Sequence, residues 1–289
     1  MSDFVTRFAP SPTGFLHLGH AFSALSAFDA SRRAGGRFLL RIEDIDRGRC
    51  RPEFEAAIYE DLAFLGIEWE TSVRRQSEHF ADYDAALQAL IAKGAVYRCF
   101  KTRKEIIDEI ARAPHLSADG PEGPAFVGAA LASDEEQALL ADGAPFAWRL
   151  SVTAAQQILG ADFARLSFVE ESLDGGKSHI VKAEPAIFGD AIIARKDAGT
   201  SYHLASVHDD ALAGVTHVIR GEDLRAAAHL HVLLQALLGL KTPVYRHHRL
   251  VVDETGKRLA KRDRAATLRA LRESGASPAD IRRRLGLTD

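Results

Sequence analysis

A turn-rich run, Ala9-Pro10-Ser11-Pro12-Thr13-Gly14, stands between a short apolar stretch at residues 4–8 and a helical pattern that begins near Gly19-His20. Prolines at positions 10 and 12 and a glycine at 14 suit neither a helix interior nor a central strand, so the chain must turn there. The helical stretch carries Phe22, Leu25 and Phe28 among small residues and stops at Gly35-Gly36, after which Phe38-Leu39-Leu40-Arg41-Ile42 is again apolar. Strand, loop, helix and strand make a βαβ unit, and such units impose a parallel sheet with a right-handed crossover. The expected fold class is α/β.

Two helical patterns follow, one after Pro52 (Phe54, Ile58, Leu62, Leu65) that stops at Gly66, and one from Phe80 through Tyr83, Leu87 and Leu90 to Gly94. From about Glu105 to Pro185 the pattern weakens, broken by Pro114, Pro121, Gly123 and Pro124, with short strands expected at residues 146–150 and 166–169. This stretch reads as an inserted α+β subdomain. Alternation resumes at residues 191–195, a turn is expected at Asp197-Ala198-Gly199, and a strand at 215–219 leads to an apolar helix at 224–238. A strand and a charged, glycine-containing loop are expected over 249–263, and Ser277-Pro278-Ala279-Asp280 opens a short terminal helix. The expected division is 1–104 for the first half of the α/β domain, 105–185 for the insertion, 186–248 for the second half, and 249–289 for the loop and terminal helices.

Composition narrows the function classes. With 289 residues, 46% hydrophobic and 27% charged, the chain can bury a core and is not a disordered segment. Its net charge of −3 lacks the basic balance of a non-specific nucleic-acid binder, so any RNA contact must use a local patch. Cys50 and Cys99 form no C-x-x-C pair, so neither a disulfide framework nor a four-thiolate zinc site is expected, which fits a reducing compartment. The first residues hold no apolar signal core, and no stretch approaches the roughly 18–20 apolar residues needed to cross a bilayer. A soluble, cytoplasmic protein without membrane contact is expected.

The run between the first strand and its helix, Arg7 through His20, is suited to phosphates. A helix N-terminus offers unpaired N–H groups and the positive end of its dipole, Gly14 and Gly19 allow close backbone approach, and imidazoles at positions 17 and 20 can face the same triphosphate.

This run, ending in His17-Leu18-Gly19-His20, resembles the "HIGH" signature of class I aminoacyl-tRNA synthetases, and its flank Arg7-Phe8-Ala9-Pro10-Ser11-Pro12-Thr13-Gly14 resembles the glutamyl and glutaminyl branch. Arg41-Ile42-Glu43-Asp44-Ile45-Asp46 is similar to that branch's "RIEDTD" element, and the segments 202–210 and 214–224 look like its second Rossmann half. The resemblance implies a Rossmann-type parallel sheet. It also implies a glutamate pocket of Arg7, Ala9, Ser11, Glu43, Tyr202 and Arg220, with Glu43 on the substrate amino group. A planar guanidinium such as that of Arg220 suits a substrate carboxylate, which it can bind bidentately. Lys257-Arg258-Leu259-Ala260-Lys261-Arg262 stands where the "KMSKS" loop belongs and departs from it, retaining Lys261 as the phosphate-contacting lysine. ATP is then expected against Pro12, Gly14, His17, Gly19, His20, Leu259 and Lys261, accompanied by Mg²⁺, with His17, His20 and Lys261 as the catalytic set. No protein ligand for the metal can be assigned.

The resemblance covers residues 1 to about 100 and about 186–263 well. Only 27 residues follow Arg262, too few for an anticodon-binding domain, so a short helical C-terminus is expected instead. Within the branch this points to truncated paralogues that activate L-glutamate without tRNA and then esterify it onto the queuosine base of tRNA(Asp). Such a chain, expected as a monomer, would take the anticodon loop into its pocket, with Arg262 and Arg264 as candidate phosphate contacts. Many relatives build a zinc site from a Cys-x-Cys pair in the insertion. Here Cys99 is followed by Phe100 and Lys101, no cysteine lies beyond, and zinc is not expected. Three alternatives stand beside this reading: a shortened synthetase charging tRNA(Glu), a synthetase-like binding protein without activity, and a small-molecule cytidylyltransferase, which would leave the glutamate-type segments unexplained.

Overall fold

The computed structural model describes residues 3–112, 119–195, 198–251 and 267–287. The chain opens with strand β1 (Val5–Phe8), helix α1 (Leu18–Ala34), strand β2 (Arg37–Ile42) and helix α2 (Pro52–Phe64). Helix α1 ends because Gly35 takes a left-handed conformation, φ 61°, which closes the last turn and sends the chain back along the sheet. Helix α2 starts with a proline in its first turn and Glu53 and Glu55 beside it, acids that favour the positive end of the dipole.

Short strand β3 (Arg74–Arg75), helix α3 (Phe80–Ala92) and strand β4 (Val96–Cys99) follow, then helix α4 (Arg103–Arg112), strands β5 (Asp119–Gly120) and β6 (Gly123–Pro124), and helix α5 (Ser133–Ala141). Strand β7 (Ala147–Leu150), helix α6 (Val152–Leu159) and the hairpin strands β8 (Ser167–Glu171) and β9 (Ser178–Lys182) lead to β10 (Ile192–Arg195) and helix α7 (Tyr202–Leu212). The last elements are β11 (His217–Gly221), α8 (Ala227–Leu238), β12 (Val244–His248), α9 (Leu268–Glu273) and α10 (Pro278–Leu285).

Strands β1, β2 and β3 pair in parallel, as do β11, β12 and β8, with β9 added antiparallel at the edge of the second group. Thr216 joins the groups: its N–H donates to the Val5 carbonyl at 2.9 Å, and its hydroxyl accepts the Val5 N–H at 2.9 Å. The C-terminal ends of β1, β2 and β11 therefore open on the same side, the usual place for a ligand in a parallel α/β sheet. One apolar core packs α1 and α2 on β1 and β2 and takes in Leu268, Leu271, Ile281 and Leu285 of the terminal helices. A second lies among α3, α6, α7 and α8.

The α/β class and parallel sheet agree with expectation. Hydrogen bonding runs across the expected 105–185 insertion: β7 from within it pairs antiparallel with β4 on one side and β10 on the other, and β8 joins the parallel sheet through β12. A strand stands at Val244–His248, in register with β11, while of the strand and loop expected over 249–263 only residues 249–251 are described, and they are not strand. The helix expected at 224 begins at Ala227, after a 3₁₀ turn at Glu222–Leu224. The expected loop residues Leu259, Lys261, Arg262 and Arg264 lie outside the described residues.

Candidate active site

The first turn of α1 is built by its histidines. His17 is the N-cap, its ring nitrogen Nδ1 accepting the Gly19 N–H at 3.1 Å, while Nδ1 of His20 reaches back to accept the His17 N–H at 3.2 Å. The reciprocal arrangement is a capping box made by imidazoles in place of the usual hydroxyl and carboxylate. Because both Nδ1 atoms accept, each neutral ring carries its proton on Nε2, and each is therefore a donor on its far side. The rings lie together, centroids 3.9 Å apart. Gly19 makes this possible: a Cβ there would fall 2.9 Å from Cε1 of His17.

The cap borders a cavity of about 450 Å³. All of the expected glutamate residues, Arg7, Ala9, Ser11, Glu43, Tyr202 and Arg220, line it, together with His17, Gly19 and His20 from the expected ATP set. Pro12 and Gly14 are not among its lining residues; the Pro12 carbonyl instead accepts the Arg51 N–H at 3.0 Å, tying the turn to the start of α2. Ser23 and His248, which sequence reasoning did not single out, also line the cavity and are 2.6 Å apart.

A buried charge network holds the cavity wall. Asp210 of α7 accepts from Arg7 Nε at 2.9 Å and from Arg41 Nη1 at 2.6 Å, and Arg41 Nη2 donates to Glu43 at 2.8 Å and to the Ser206 hydroxyl at 3.3 Å. Burial opposes the charge on Arg41, but Asp210, Glu43 and Asp209 outweigh it and raise its pKa. For Glu43 burial wins: the carboxyl is pushed up despite Arg41 beside it. Asp210 is held below the usual carboxylate range, since Arg7 and Arg41 together overcome its burial. Next to it, Asp209 is lowered to about 2, against its burial, by His208, Arg41, Gln76 and Tyr83.

Arg220 projects from β11, 5% exposed. Its Nη1 donates to the Tyr202 hydroxyl at 3.3 Å, while Nη2 is buried with no partner among the described residues. An unsatisfied guanidinium nitrogen beside a cavity is what a carboxylate ligand would complete. The cavity thus brings together imidazole donors at a helix start and a buried arginine with an unsatisfied nitrogen.

A larger cavity, about 810 Å³, is lined by residues of α4, β7 and β10, and by Cys99 and Phe126, and contains none of the expected site residues. Cys99 itself packs with Tyr97, Ile106 and Phe126 as a small buried side chain. Among the described residues no three His, Cys, Asp or Glu side chains group as metal ligands, and no helix is long and apolar enough to cross a membrane.

Residues 3–288 match the family profile of tRNA synthetases class I (E and Q), catalytic domain. A glutamyl-Q tRNA(Asp) synthetase of Rhodobacter capsulatus is 49% identical over 98% of this chain and 100% of its own length. Another protein of that name, from Symbiobacterium thermophilum, is 39% identical over 95% of this chain and 83% of its own. Among solved structures, a glutamate tRNA ligase from Elizabethkingia meningosepticum in complex with its amino acid superposes with a TM-score of 0.70 at 28% identity, covering 90% of this chain. The chain spans 52% of that ligase. It belongs to the class I tRNA synthetases of the glutamate and glutamine branch.

Proposed function

We propose that this protein uses ATP to activate L-glutamate to glutamyl-adenylate without tRNA, and then transfers the glutamate to the queuosine base in the anticodon of tRNA(Asp). The observation that carries the activation step is the convergence on one cavity of the glutamate set around Arg7, Glu43, Tyr202 and Arg220 with the histidine-capped start of α1. The match to the Rhodobacter capsulatus protein over the whole of its length supports the choice of acceptor.

Activation needs little acid–base chemistry. The carboxylate of glutamate is already a nucleophile; it attacks the α-phosphorus of ATP in line, and pyrophosphate leaves. Positioning and charge stabilisation then carry the rate. Arg220 holds a substrate carboxylate, Glu43 the amino group, and the Nε2–H groups of His17 and His20 meet the phosphates at the positive end of α1. Lys261 adds a cation to the leaving pyrophosphate. Mg²⁺ bound with ATP would neutralise charge on the triphosphate, and the described residues group no ligand set for it. In the second step a hydroxyl of the queuosine cyclopentenediol attacks the adenylate carbonyl, and AMP leaves.

The test is ATP–pyrophosphate exchange dependent on glutamate with tRNA absent, followed by transfer of labelled glutamate to tRNA(Asp) with queuosine, the same tRNA without it, and tRNA(Glu). Labelling of the first alone is the expected result. Labelling of tRNA(Glu) instead would make the chain a shortened charging enzyme, and no exchange at all would leave a synthetase fold without the chemistry.

A further inference from the structure

Arg220 is gripped from behind as well as from the cavity side. Its Nε–H donates to Nε2 of His247 at 3.4 Å, and Nδ1 of His247 lies 2.6 Å from Oε1 of Glu170. The side chains of His247 and Glu170 are 3% and 7% exposed. Sheet register places them in a row: Arg220 is opposite His247 across β11 and β12, and Glu170 is opposite Tyr245 across β12 and β8. Tyr245 and His247, two residues apart on one face of β12, stack at 6.0 Å, and the guanidinium carbon of Arg220 lies 5.2 Å over the Tyr245 ring.

The contacts fix each other's protons. Nδ1–H of His247 donates to the Glu170 carboxylate, which leaves the Nε2 lone pair to accept from Arg220. An imidazolium would present N–H to N–H and break the chain. Burial and the Arg220 charge push His247 down to about 4, so the ring stays neutral at ordinary pH. Glu170 is held below its usual range against its burial by His247 and by Arg225, whose Nη2 is 2.5 Å from Oε2; His179 stands 3.5 Å away on the solvent side.

We infer that Glu170 and His247 are positioning residues that hold the guanidinium plane of Arg220 at the angle at which it takes a carboxylate of the amino-acid substrate, and so set the affinity for glutamate. The inference rests on the glutamate reading of the cavity. Bidentate recognition needs the plane fixed, because a guanidinium free to swivel spends part of its binding energy on being ordered. Glu170 and His247 do that ordering in advance.

The test compares His247→Phe, which keeps a ring but removes the acceptor, and Glu170→Ala, which frees the imidazole tautomer, with His247→Gln, whose Oε1 can replace the Nε2 acceptor. Glutamate and ATP KM values, kcat and Tm are measured by ATP–pyrophosphate exchange and thermal unfolding. Loss of a hydrogen bond to a charged group should raise the glutamate KM by about tenfold in His247→Phe and Glu170→Ala. The ATP KM should stay within about twofold, kcat should be little changed, and His247→Gln should recover most of the loss. His247→Phe retains the ring volume, so it reports the lost acceptor even where Glu170→Ala fails to fold. An unchanged glutamate KM in His247→Phe, or glutamate and ATP KM values rising together with a fallen Tm, overturns the inference alone. Absence of glutamate-dependent exchange in the unaltered protein overturns the glutamate reading, and this inference with it.

Discussion

Asp61 should make this protein less stable as pH rises toward neutrality. It sits on α2 with no solvent exposure, both carboxylate oxygens lack a hydrogen-bond partner among the described residues, and Arg272 of α9 comes only to 3.9 Å. Burial pushes its pKa from 3.8 up to about 6, with Arg272 opposing. A carboxyl whose folded-state pKa lies above its unfolded value holds its proton more tightly when folded. Its contribution is therefore complete below the unfolded pKa, near 4, and is lost as pH climbs through about 6. A rise of about two units corresponds to about 3 kcal/mol at 1.36 kcal/mol per unit. Asp61→Asn imitates the protonated acid and removes the titration. Urea unfolding at stepped pH should show the two proteins about equally stable at pH 4. The variant should gain progressively between about pH 4 and 6 and level off about 3 kcal/mol ahead. Arg272→Ala, by removing the opposing charge, should extend the loss in the otherwise unaltered protein to higher pH. A difference between Asp61→Asn and the parent that does not vary with pH, or a variant less stable at pH 7, would refute the reasoning.

Other residues offer sharper functional tests. Asp210→Asn leaves Arg7 and Arg41 without their shared carboxylate and should raise the glutamate KM by about tenfold while lowering Tm; an unaltered KM would show that the network has no bearing on the substrate. His20→Ala breaks the capping box and should cost about 1 kcal/mol of stability in unfolding experiments, but should reduce exchange kcat by a larger factor, and a kcat within twofold of the parent would remove His20 from the reaction. Lys261→Ala should depress glutamate activation far more than glutamate binding, because its contact matters chiefly as pyrophosphate leaves; equal loss of both in exchange and calorimetry would contradict that role.

The local parts of this structure were legible in the sequence because their causes are local. A proline-glycine turn, a cap and an apolar face determine α1, α2, α3 and α10 over a few residues each, and the motif residues Arg7, Glu43 and Arg220 lie on or directly after the strands β1, β2 and β11. Helix α7 carries motif residues, but its sequence shows no helical period. Its buried face includes His203, Ser206, Asp209 and Asp210, so the apolar period that marks a helix is missing where polar side chains fill the interior. Strands β7 and β10 stand where the sequence predicts them, at 146–150 and 191–195, but β4 and the pairing of the three were not legible: Cys99 with Ala147 and Ala147 with Arg195 join segments about 50 residues apart in a stretch broken by prolines. Roles for Asp210, His247 and Glu170 were equally hidden, since their partners Arg7, Arg220 and His247 stand 203, 27 and 77 residues away.

Those distant partners decide which arginine can serve a ligand. Arg7 and Arg41 both make ion pairs with Asp210, and Arg41 makes a second with Glu43, so much of their charge is answered within the protein. Arg220 is different: its hydrogen-bond partners are the neutral Tyr202 hydroxyl and the neutral face of His247. Glu170 lies one residue further back, with Arg225 drawing on its charge as well. Positive potential in the cavity is accordingly concentrated at Arg220, on a nitrogen already stripped of water, where a charge-assisted contact is worth more than at the surface. Glu43, buried and raised in pKa, gives the same cavity a carboxyl that a substrate cation would help keep ionised. On the proposed reading, a ligand bearing both a carboxylate and an ammonium would answer both at once, whereas a simple dicarboxylate would satisfy Arg220 and leave Glu43 repelled. On that reading, the asymmetry would favour an amino acid over a plain diacid before any contact to ATP is made.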